Sequence, residues 1–356
     1  RNHPSIFLWG IGNEEWGLEW EDRSTEIAST MREYAHRADS TRPMGVASAS
    51  GPHIIRTVDV AGYNYIRQNP IDEHRANYPE RIGVGSEETT GCGTRGEYFP
   101  DAGPGRMMSL NFNDSAKNPL GFAMARGWQF YDERPWLLGV FYWTGFDYRG
   151  EPNPMTFPAT SSEFGILDYC GFPKDEAYYL KSWWTSEPVL HILPHWNLDG
   201  HEGEKISVWV YSNCDEVQLT VNGKNLGRKK MPVNGHLEWD AIYKPGYVKA
   251  VGYKNGRKVM ETRIETAGAP VEAVCTHEAV GDIIVANVKM VDAKGRFVPT
   301  ANCEVEFQTP SEEWKILGWG NGDPAFQYIE RPLDPEADSI KIQTFNGYAQ
   351  VIIQKK

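Results

Sequence analysis

The first residues of the chain hold an apolar run that does not alternate with polar residues. Residues 5–12 read SIFLWGIG, and Asn13, Glu14 and Glu15 follow directly. A strand buried on one face alternates apolar and polar side chains, so this run predicts a strand buried on both faces of a parallel sheet. Strand carboxyl ends face the active site in parallel barrels, so these three polar residues are either a loop start or catalytic candidates.

A second predicted strand also ends in glutamate. The short apolar segment of residues 82–85 leads to Glu87 and Glu88. Cleavage of a glycosidic bond requires paired carboxylates on opposite sides of a pocket. Glu14 and Glu87 are the predicted pair, and Glu15 and Glu88, one position further along, are expected to point elsewhere.

The first half of the chain alternates predicted strands and helices. A helix is predicted over residues 24–40, with an apolar face of Ile27, Met31, Tyr34, Ala35 and Ala38, and a second helix over 120–131. The predicted strands are residues 5–12, 44–49, 58–65, 82–85 and 137–143. This alternation implies a parallel sheet, as an open doubly wound sheet or as part of an eight-stranded barrel. No P-loop follows a strand, which favours the barrel over a nucleotide-binding fold.

After residue 186 the pattern becomes all-β. Residues 205–211 alternate apolar and polar side chains, and Asn222-Gly223 is a hairpin signal after residues 217–221. Further strands are predicted at residues 247–253, 258–264, 283–291, 305–307, 314–317 and 348–353. Recurrent turns at this spacing favour sandwiches of the immunoglobulin type. The predicted domains are an α/β domain over residues 1–186 and two β-sandwiches over 187–268 and 269–356.

Charge and cysteine content narrow the partners and the chemistry. The net charge is −12 and the pI is about 5.3, with no basic face, so binding to a phosphate backbone is disfavoured. The sequence has no apolar run of about 18 residues, the length a membrane span requires. Five cysteines are widely spaced without a CxxC pair, which favours isolated buried thiols over a zinc or redox site.

Four motifs in order resemble glycoside hydrolase family 2, which contains β-galactosidases, β-glucuronidases and β-mannosidases. They are RNHPSIFLWGIGNE at residues 1–14, GSE at 85–87, FYWTGFDYRGEP at 141–152 and SSEFGILDYCGFPKD at 161–175. The third and fourth are typical of the β-galactosidase branch. Residues 191–227 resemble the sandwich that follows the barrel in bacterial polysaccharide-utilising members.

The resemblance implies that the chain is the carboxyl-terminal portion, strands 4–8, of a TIM (β/α)8 barrel followed by two immunoglobulin-like sandwiches. Strands one to three and the preceding domains of the same polypeptide are then expected partners, and the isolated segment is expected to expose strand edges and aggregate. A cooperative melt of that segment would contradict this. The resemblance also implies a carbohydrate substrate, a homo-oligomer as one option, and a periplasmic or secreted bacterial location. No cofactor is required, although some members bind magnesium or sodium, for which no ligands are identifiable here.

The resemblance assigns roles around the carboxylates. Glu14 is similar to the acid/base, which must carry a proton for the leaving group, and Glu87 to the nucleophile, which must be ionised. Asn13 is expected to hydrogen-bond the sugar 2-hydroxyl. Tyr65 is expected to donate to the nucleophile, with Tyr63 as its structural neighbour and an alternative.

Five more residues are predicted substrate contacts. Trp143 is expected to form a stacking platform and Asp147 to bind a hydroxyl, while Arg1 and His3 match family positions near the pocket. For His3 a buried structural role is the alternative. Arg95, in the loop after Glu87, is expected either to reach an extended or charged substrate or to be a solvated loop arginine.

The leading prediction is an exo-acting β-galactosidase. β-Glucuronidases carry an Asn-x-Lys motif near the pocket, and the barrel part of this chain has none; the triplet at Asn222-Gly223-Lys224 lies in a predicted hairpin. A neutral sugar is therefore favoured. A non-catalytic carbohydrate-binding protein is the alternative from another class, and the presence of both glutamates argues against it.

Overall fold

The five apolar segments of the amino-terminal part form one parallel sheet. A computed structural model describes residues 2–89, 91, 93–109 and 124–356. The sheet has the order β1-β2-β3-β4-β5, all neighbours parallel. Its strands are β1 Trp9–Asn13, β2 Met44–Ser48, β3 Val60–Asn64, β4 Ile82–Thr89 and β5 Leu137–Trp143. The predicted parallel sheet is confirmed, with β1 shorter and β4 longer than the apolar runs indicated.

Helices connect these strands, as parallel pairing requires. They are α1 Asp22–Ala38, α2 Pro52–Ile55, α3 Ile71–Asn77 and α4 Met124–Asp132. Val46 and Ala61 of the sheet share a buried core with Ala28, Ile71 and Tyr131 of the helices. This core fixes the strands whose carboxyl ends carry the candidate site.

The predicted apolar face of α1 is wrong in part. The residues of α1 that are buried are Ser24 and Ala28, whereas Tyr34 is 70% exposed and Met31 is also exposed. Small side chains let a helix approach its neighbours closely, so the face was decided by fit rather than by hydrophobicity. Ser24, predicted to lie at the helix start, donates its hydroxyl to the Glu21 carbonyl.

The first antiparallel region follows α5 (Asp175–Trp184). Its strands are β6 Leu190–Leu193, β7 Lys205–Ser212, β8 Glu216–Val221, β9 Lys224–Lys230, β10 Leu237–Ile242, β11 Tyr247–Lys254 and β12 Arg257–Glu265. They form sheets of order β10-β7-β6 and β12-β11-β8-β9 around one core that includes Trp196, Val208 and Leu219. Asn222 and Gly223 have φ of 47° and 82°, the left-handed pair of a type I′ hairpin, as predicted.

The second antiparallel region contains β13 Pro270–Val280, β14 Ile283–Asp292, β15 Glu304–Gln308, β16 Trp314–Gly320, β17 Ser339–Gln343 and β18 Tyr348–Lys355. Its sheets have the orders β13-β14-β18-β16 and β15-β17. Ile316, Ile342 and Val351 lie in its core. The all-β pattern after residue 186 is confirmed, while the immunoglobulin type of the two sandwiches remains a prediction.

The chain divides into two compact units. The first is Arg1–Gly91 with Ser115–Gly145, and the second is Cys92–Asp114 with Phe146–Lys356. The described residues of 93–109 and residues 146–186 therefore group with the antiparallel sheets rather than with the parallel sheet. The predicted boundary at residue 186 does not coincide with this division, and the three-domain scheme remains a prediction.

Two smaller predictions concern thiols and membranes. Cys170, Cys214, Cys275 and Cys303 are free, but Cys275 is exposed on β13, so the prediction of buried thiols is wrong for that residue. Cys92 lies outside the described residues. In the described part of the chain, no helix combines the length and the apolar character that crossing a bilayer needs.

Candidate active site

The carboxyl end of the parallel sheet gathers the predicted polar residues. Asn13 ends β1, Asn64 ends β3 and Trp143 ends β5. Glu87 lies on β4 directly opposite Asn64 in the register. Because parallel strands end at one edge, residues distant in sequence meet there, as predicted from the strand pattern.

Two residues at this edge have left-handed backbones. Glu14 has φ of 52° and Tyr65 has φ of 64°, and neither is glycine. Such conformations cost on the order of 1–3 kcal/mol and persist where surrounding structure enforces them. The Glu14 amide donates to the Ala47 carbonyl at 2.9 Å, and the Tyr65 amide donates to the Glu87 carbonyl at 2.7 Å. Each neighbouring strand thus turns one side chain toward the shared edge.

Asn64 joins the two candidate carboxylates. Its Nδ2 donates to Glu14 Oε1 and to Glu87 Oε2, both at 3.2 Å, and to Asn13 Oδ1 at 3.0 Å. The hydroxyl of Ser86 donates to Asn64 Oδ1 at 2.7 Å, which fixes the amide with its nitrogen toward the carboxylates. Asn64 is fully buried. The acceptor oxygens of Glu14 and Glu87 therefore lie no more than twice 3.2 Å apart.

Tyr65 donates its hydroxyl to Glu87 Oε1. Burial first, and then the hydrogen bond to Glu87 and the nearby charges of Glu87, Glu14 and Glu88, raise the pKa of Tyr65. A raised pKa keeps the phenol protonated, so Tyr65 stays a donor to the carboxylate at neutral pH. Tyr63 is instead buried in the core and stacks on His74 at 5.8 Å, which leaves Tyr65 as the tyrosine at the site.

Asn69 holds the backbone beneath these groups. Its Nδ2 lies 2.6 Å from the Asn64 carbonyl oxygen, 3.1 Å from that of Ala49 and 3.2 Å from that of Tyr65. The side chain is buried. Asn69 therefore ties the end of β3 and its left-handed residue to the segment that follows β2.

The alternative carboxylates have other environments. Glu88 is fully buried and accepts from the Ile66 amide at 2.9 Å and from the Tyr131 hydroxyl at 3.5 Å. Glu15 is exposed. The alternation of side chains along a strand explains why Glu87 and Glu88 face opposite sides.

Of the predicted substrate contacts Trp143, His3 and Arg1, only Trp143 is seen at this edge of the sheet. Trp143 is 39% exposed at the end of β5, and its backbone is opposite Thr89 of β4. His3 is exposed, so the alternative of a buried structural role is wrong for it. Its carbonyl accepts from Arg42 at 3.0 Å. Arg1 lies outside the described residues.

Arg95 and Asp147, of the second unit, are engaged by protein groups. Arg95 is buried; its Nε donates to Asp168 at 2.7 Å, and its other nitrogens donate to the carbonyls of Asn321, Phe345 and Asn346. Neither a solvated arginine nor a free substrate contact describes this side chain. Asp147 is also buried, accepting from Lys174 Nζ and from the Gly165 amide at 2.9 and 2.7 Å. From their positions in the sequence, Arg95 and Asp147 were expected to be polar loop residues. In the structure, packing encloses both of them in internal ion pairs.

A metal ion needs several ligand side chains gathered at one place. Within residues 2–89, 91, 93–109 and 124–356, no three or more histidine, cysteine, aspartate or glutamate side chains cluster as ligands. No residues are therefore assigned to the magnesium or sodium that the resemblance raised.

Comparison with known families shows which family the residues of the parallel sheet belong to. A family model described as "Glycosyl hydrolases family 2, TIM barrel domain" matches residues 1–185. The chain belongs to glycoside hydrolase family 2. Its parallel sheet is accordingly part of a family 2 TIM barrel domain. A model of a domain of unknown function matches residues 203–260, within the first antiparallel region.

Individual family 2 relatives carry two activity names. The chain is 33% identical to the β-galactosidase BoGH2A of Bacteroides ovatus, over 99% of this chain and 47% of that protein. It is 27% identical to a β-glucuronidase of Formosa agariphila, over 91% of this chain and 33% of that protein. The crystal structure of a β-glycosidase from Bacteroides vulgatus matches 100% of this chain and 48% of that one, with a TM-score of 0.82 and 28% identity. The chain spans about half or less of each relative's length.

Sequence reasoning missed Asn64, Ser86 and Asn69 in this family 2 site. Asn64 lies between Tyr63 and Tyr65, the two tyrosines to which the resemblance pointed. A polar residue at the last position of an apolar strand was the available signal, the same one that selected Asn13 and Glu14. Asn69 sits beside a proline in a predicted loop, and its sequence context carries no such signal.

Proposed function

We propose that this chain carries the catalytic carboxylates of a retaining exo-β-galactosidase, which releases terminal β-D-galactosyl residues from oligo- or polysaccharides. The observation that carries the proposal is the single Asn64 amide within 3.2 Å of both Glu14 and Glu87. Family 2 membership supplies the reaction class, hydrolysis of a β-glycosidic bond.

The spacing of the two carboxylates favours retention of configuration. Retaining enzymes hold the carboxyl groups about 5–5.5 Å apart, and inverting enzymes hold them about 6.5–9.5 Å apart to admit a water. The shared contact with Asn64 limits one oxygen of Glu14 and one of Glu87 to a separation of at most twice 3.2 Å, which admits the retaining spacing. A nucleophile in direct reach of the anomeric carbon fits this spacing.

The proposed reaction has two displacements. In the first, a Glu87 carboxylate oxygen bonds to the anomeric carbon while the glycosidic C–O bond breaks, and Glu14 gives its proton to the departing oxygen. In the second, Glu14 takes a proton from water, the water oxygen bonds to the anomeric carbon, and the bond to Glu87 breaks. Each step conserves charge, and Glu14 is protonated again at the end.

The neighbours of the carboxylates suit these roles. Tyr65 and Asn64 donate to Glu87, which stabilises its ionised form. Asn13 accepts from Asn64, and its own Nδ2 has no hydrogen-bond partner among the described residues. That amide is therefore available to donate to a sugar hydroxyl, the role the resemblance gives to Asn13.

Three observations support a neutral galactosyl unit over a glucuronyl unit. The barrel part lacks an Asn-x-Lys triplet, and the match to BoGH2A, named a β-galactosidase, extends over 99% of the chain. In the second unit, Arg95 and Lys174 are each paired with an aspartate and so are not free cations for a sugar carboxylate. The β-glucuronidase name of other relatives is the rival activity.

Hydrolysis of two nitrophenyl glycosides by the full-length enzyme tests the substrate. We expect release from the β-D-galactoside to exceed release from the β-D-glucuronide, and the first anomer seen by NMR to be β. A preference for the glucuronide would contradict the galactosyl assignment, and an initial α-anomer would contradict retention. Full turnover by Glu87→Gln would show that Glu87 is not the nucleophile.

A matched pair of neighbouring carboxylates tests the proton donor. Glu14→Gln should lower kcat/KM by about 100-fold or more on a substrate with a basic leaving group, because that oxygen needs a proton. The loss should be smaller on a dinitrophenyl glycoside, whose leaving group departs without protonation. The exposed neighbour provides the control, since Glu15→Gln should retain activity on both substrates. Equal losses for the two leaving groups would contradict an acid role.

A further inference from the structure

Away from the candidate active site, a cavity lies within the unit of the antiparallel sheets. It has a volume of about 830 Å³ and is lined by the segment around Glu97 and Arg106 and by β15, β16 and β17 with their connecting loop. This volume is in the range of pockets that hold small organic ligands. None of Glu14, Glu87, Asn13 or Asn64 lines it.

Aromatic rings form one side of this cavity. Trp319 packs edge-to-face on Phe326 with centroids 5.1 Å apart, and Phe326 packs the same way on Tyr328 at 5.4 Å. Phe326 is buried, so it anchors the two rings beside it, while Tyr328 is 78% exposed. An exposed, oriented aromatic face attracts the C–H groups on the flat side of a sugar ring, since the ring face is electron-rich and apolar.

Two polar side chains that line the cavity, Glu97 and Gln343, have atoms without a hydrogen-bond partner among the described residues. Glu97 accepts from Asn346 Nδ2 at 2.8 Å through Oε1, and its Oε2 has no hydrogen-bond partner in the described part of the chain. Burial raises the pKa of Glu97, which reflects the missing water around the carboxyl. The Gln343 amide also makes no side-chain hydrogen bond to a described residue, although its carbonyl accepts from Asn321. Both groups can pair with hydroxyls, which donate and accept at once.

The acidic and basic side chains that line the cavity are equal in number. Arg106 donates twice to Asp323, at 2.8 and 2.7 Å, and Lys341 pairs with Glu304 at 2.8 Å. The remaining charged groups of the lining are Glu97 and the exposed Arg331, of opposite sign. A nucleotide or another polyanion would find no excess positive charge here, so a neutral polar ligand suits the lining.

We propose that this cavity is a second carbohydrate site, which binds a neutral sugar of a glycan by stacking on Tyr328 and by hydroxyl contacts with Glu97 and Gln343. The proposal goes beyond the hydrolysis at Glu14 and Glu87 and does not depend on it. Such a site would retain a polymeric substrate on the protein between cleavage events.

Calorimetric titration of the full-length enzyme carrying Glu87→Gln tests the site without hydrolysis. The probes are neutral tetraoses of β-linked galactose, glucose and xylose, with a tetragalacturonide as the charged comparison. We expect saturable binding of at least one neutral tetraose. Tyr328→Ala should raise the dissociation constant of that tetraose at the cavity by about threefold to tenfold. Gln343→Ala should weaken it as well.

Tyr34→Ala is the matched control, because Tyr34 is an exposed tyrosine of α1 in the other unit, and it should bind as the parent does. Turnover of a nitrophenyl glycoside by Tyr328→Ala, with Glu87 intact, should be unchanged. Lack of binding to every neutral tetraose, unchanged binding in both cavity variants, or preference for the charged sugar would overturn the proposal. Loss of nitrophenyl turnover in Tyr328→Ala would also overturn it, since the cavity would then serve the reaction. If no variant turned over any glycoside, the proposed hydrolysis would fail, and the titrations would still decide this site.

Discussion

At the scale of the residue, the side-chain amide nitrogen of Asn64 lies near more acceptor oxygens than it has protons to donate. Its amide nitrogen carries two hydrogens, while Asn13, Glu14 and Glu87 each present an oxygen within 3.2 Å. One fixed dipole therefore serves two carboxylates that have different roles in the proposed reaction. Preorganised donors of this kind stabilise charge without reorganisation during the reaction.

We expect Asn64→Ala to lower kcat/KM by about 100-fold, the usual cost of removing one preorganised donor. The loss should fall mainly on kcat, because Asn64 contacts the carboxylates rather than solvent. Steady-state kinetics with a nitrophenyl glycoside, beside a thermal melt, measure the effect. Ser86→Ala is the graded control, since it removes the bond that orients Asn64 and keeps the amide. A native kcat in folded Asn64→Ala would contradict the bridging role.

At the scale of the element, two strand ends present the site through strained backbone. β1 and β3 each place a non-glycine residue with left-handed φ, Glu14 and Tyr65, immediately after the strand. The strands fix where these residues lie, and the turns fix where their side chains point. Residues that hold the turns are therefore part of the site even when they do not reach the reacting groups.

Asn69→Ala tests this dependence on the turn after β3. The substitution removes the Asn69 hydrogen bonds to the carbonyls of Asn64 and Tyr65, each of which keeps a donor from Gln68, so the expected cost is about 0.5–1.5 kcal/mol per bond. We expect a lower melting temperature together with a lower kcat, because Tyr65 loses its imposed conformation. The exposed Asn77 of α3 offers a control, since Asn77→Ala removes an amide of the same size from the surface. A stable variant with native kcat would show that Asn69 does not position the turn.

At the scale of the whole molecule, a buried cluster of charges ties distant segments of the second unit. Lys174 Nζ donates to Asp147 and, at 3.1 Å, to the Glu163 carbonyl, and Thr94 donates to the Glu163 carboxyl. Burial raises the pKa of Glu163 to about 7 and that of Asp147 to about 6, the latter despite Lys174. The folded chain therefore holds protons that the unfolded chain releases at lower pH.

This cluster predicts a pH-dependent stability. Between pH 4.5, the ordinary pKa of glutamate, and about 7, the folded state binds more protons at Glu163 than the unfolded state does. The free energy of unfolding should fall as pH rises through this window, by at most about 1.4 kcal/mol per pH unit for this group. Glu163→Gln removes the Glu163 contribution, so the profile should flatten between about pH 6 and 7, above the raised pKa of Asp147, and become less steep below it. Melting curves of both proteins across this range measure the difference, and parallel profiles would contradict the assignment.

Arg95 shows why some site predictions from sequence did not fit the structure. Its place shortly after Glu87 indicated a loop side chain near the substrate. In the structure its guanidinium binds Asp168 and the carbonyls of Asn321, Phe345 and Asn346, far along the chain. Nothing near Arg95 in the sequence encodes those partners, because they are brought together only when the carboxyl-terminal sheets have formed.

The sequence by itself determined the features that depend on a few neighbouring residues. Unalternated apolar runs specified the parallel strands, Asn222-Gly223 specified a hairpin, and polar residues at strand ends singled out Glu14, Glu87 and Asn13. These follow from side-chain period and turn chemistry, which act locally.

Only the tertiary structure decided which polar side chains face one another. It made Asn64 the bridge between two carboxylates, placed Asn69 under the turn of Tyr65, and enclosed Arg95 and Asp147 as internal ion pairs. The reason is physical: burying a polar group is tolerable only when a partner is within hydrogen-bonding distance, and that partner is supplied by packing between segments remote in the chain.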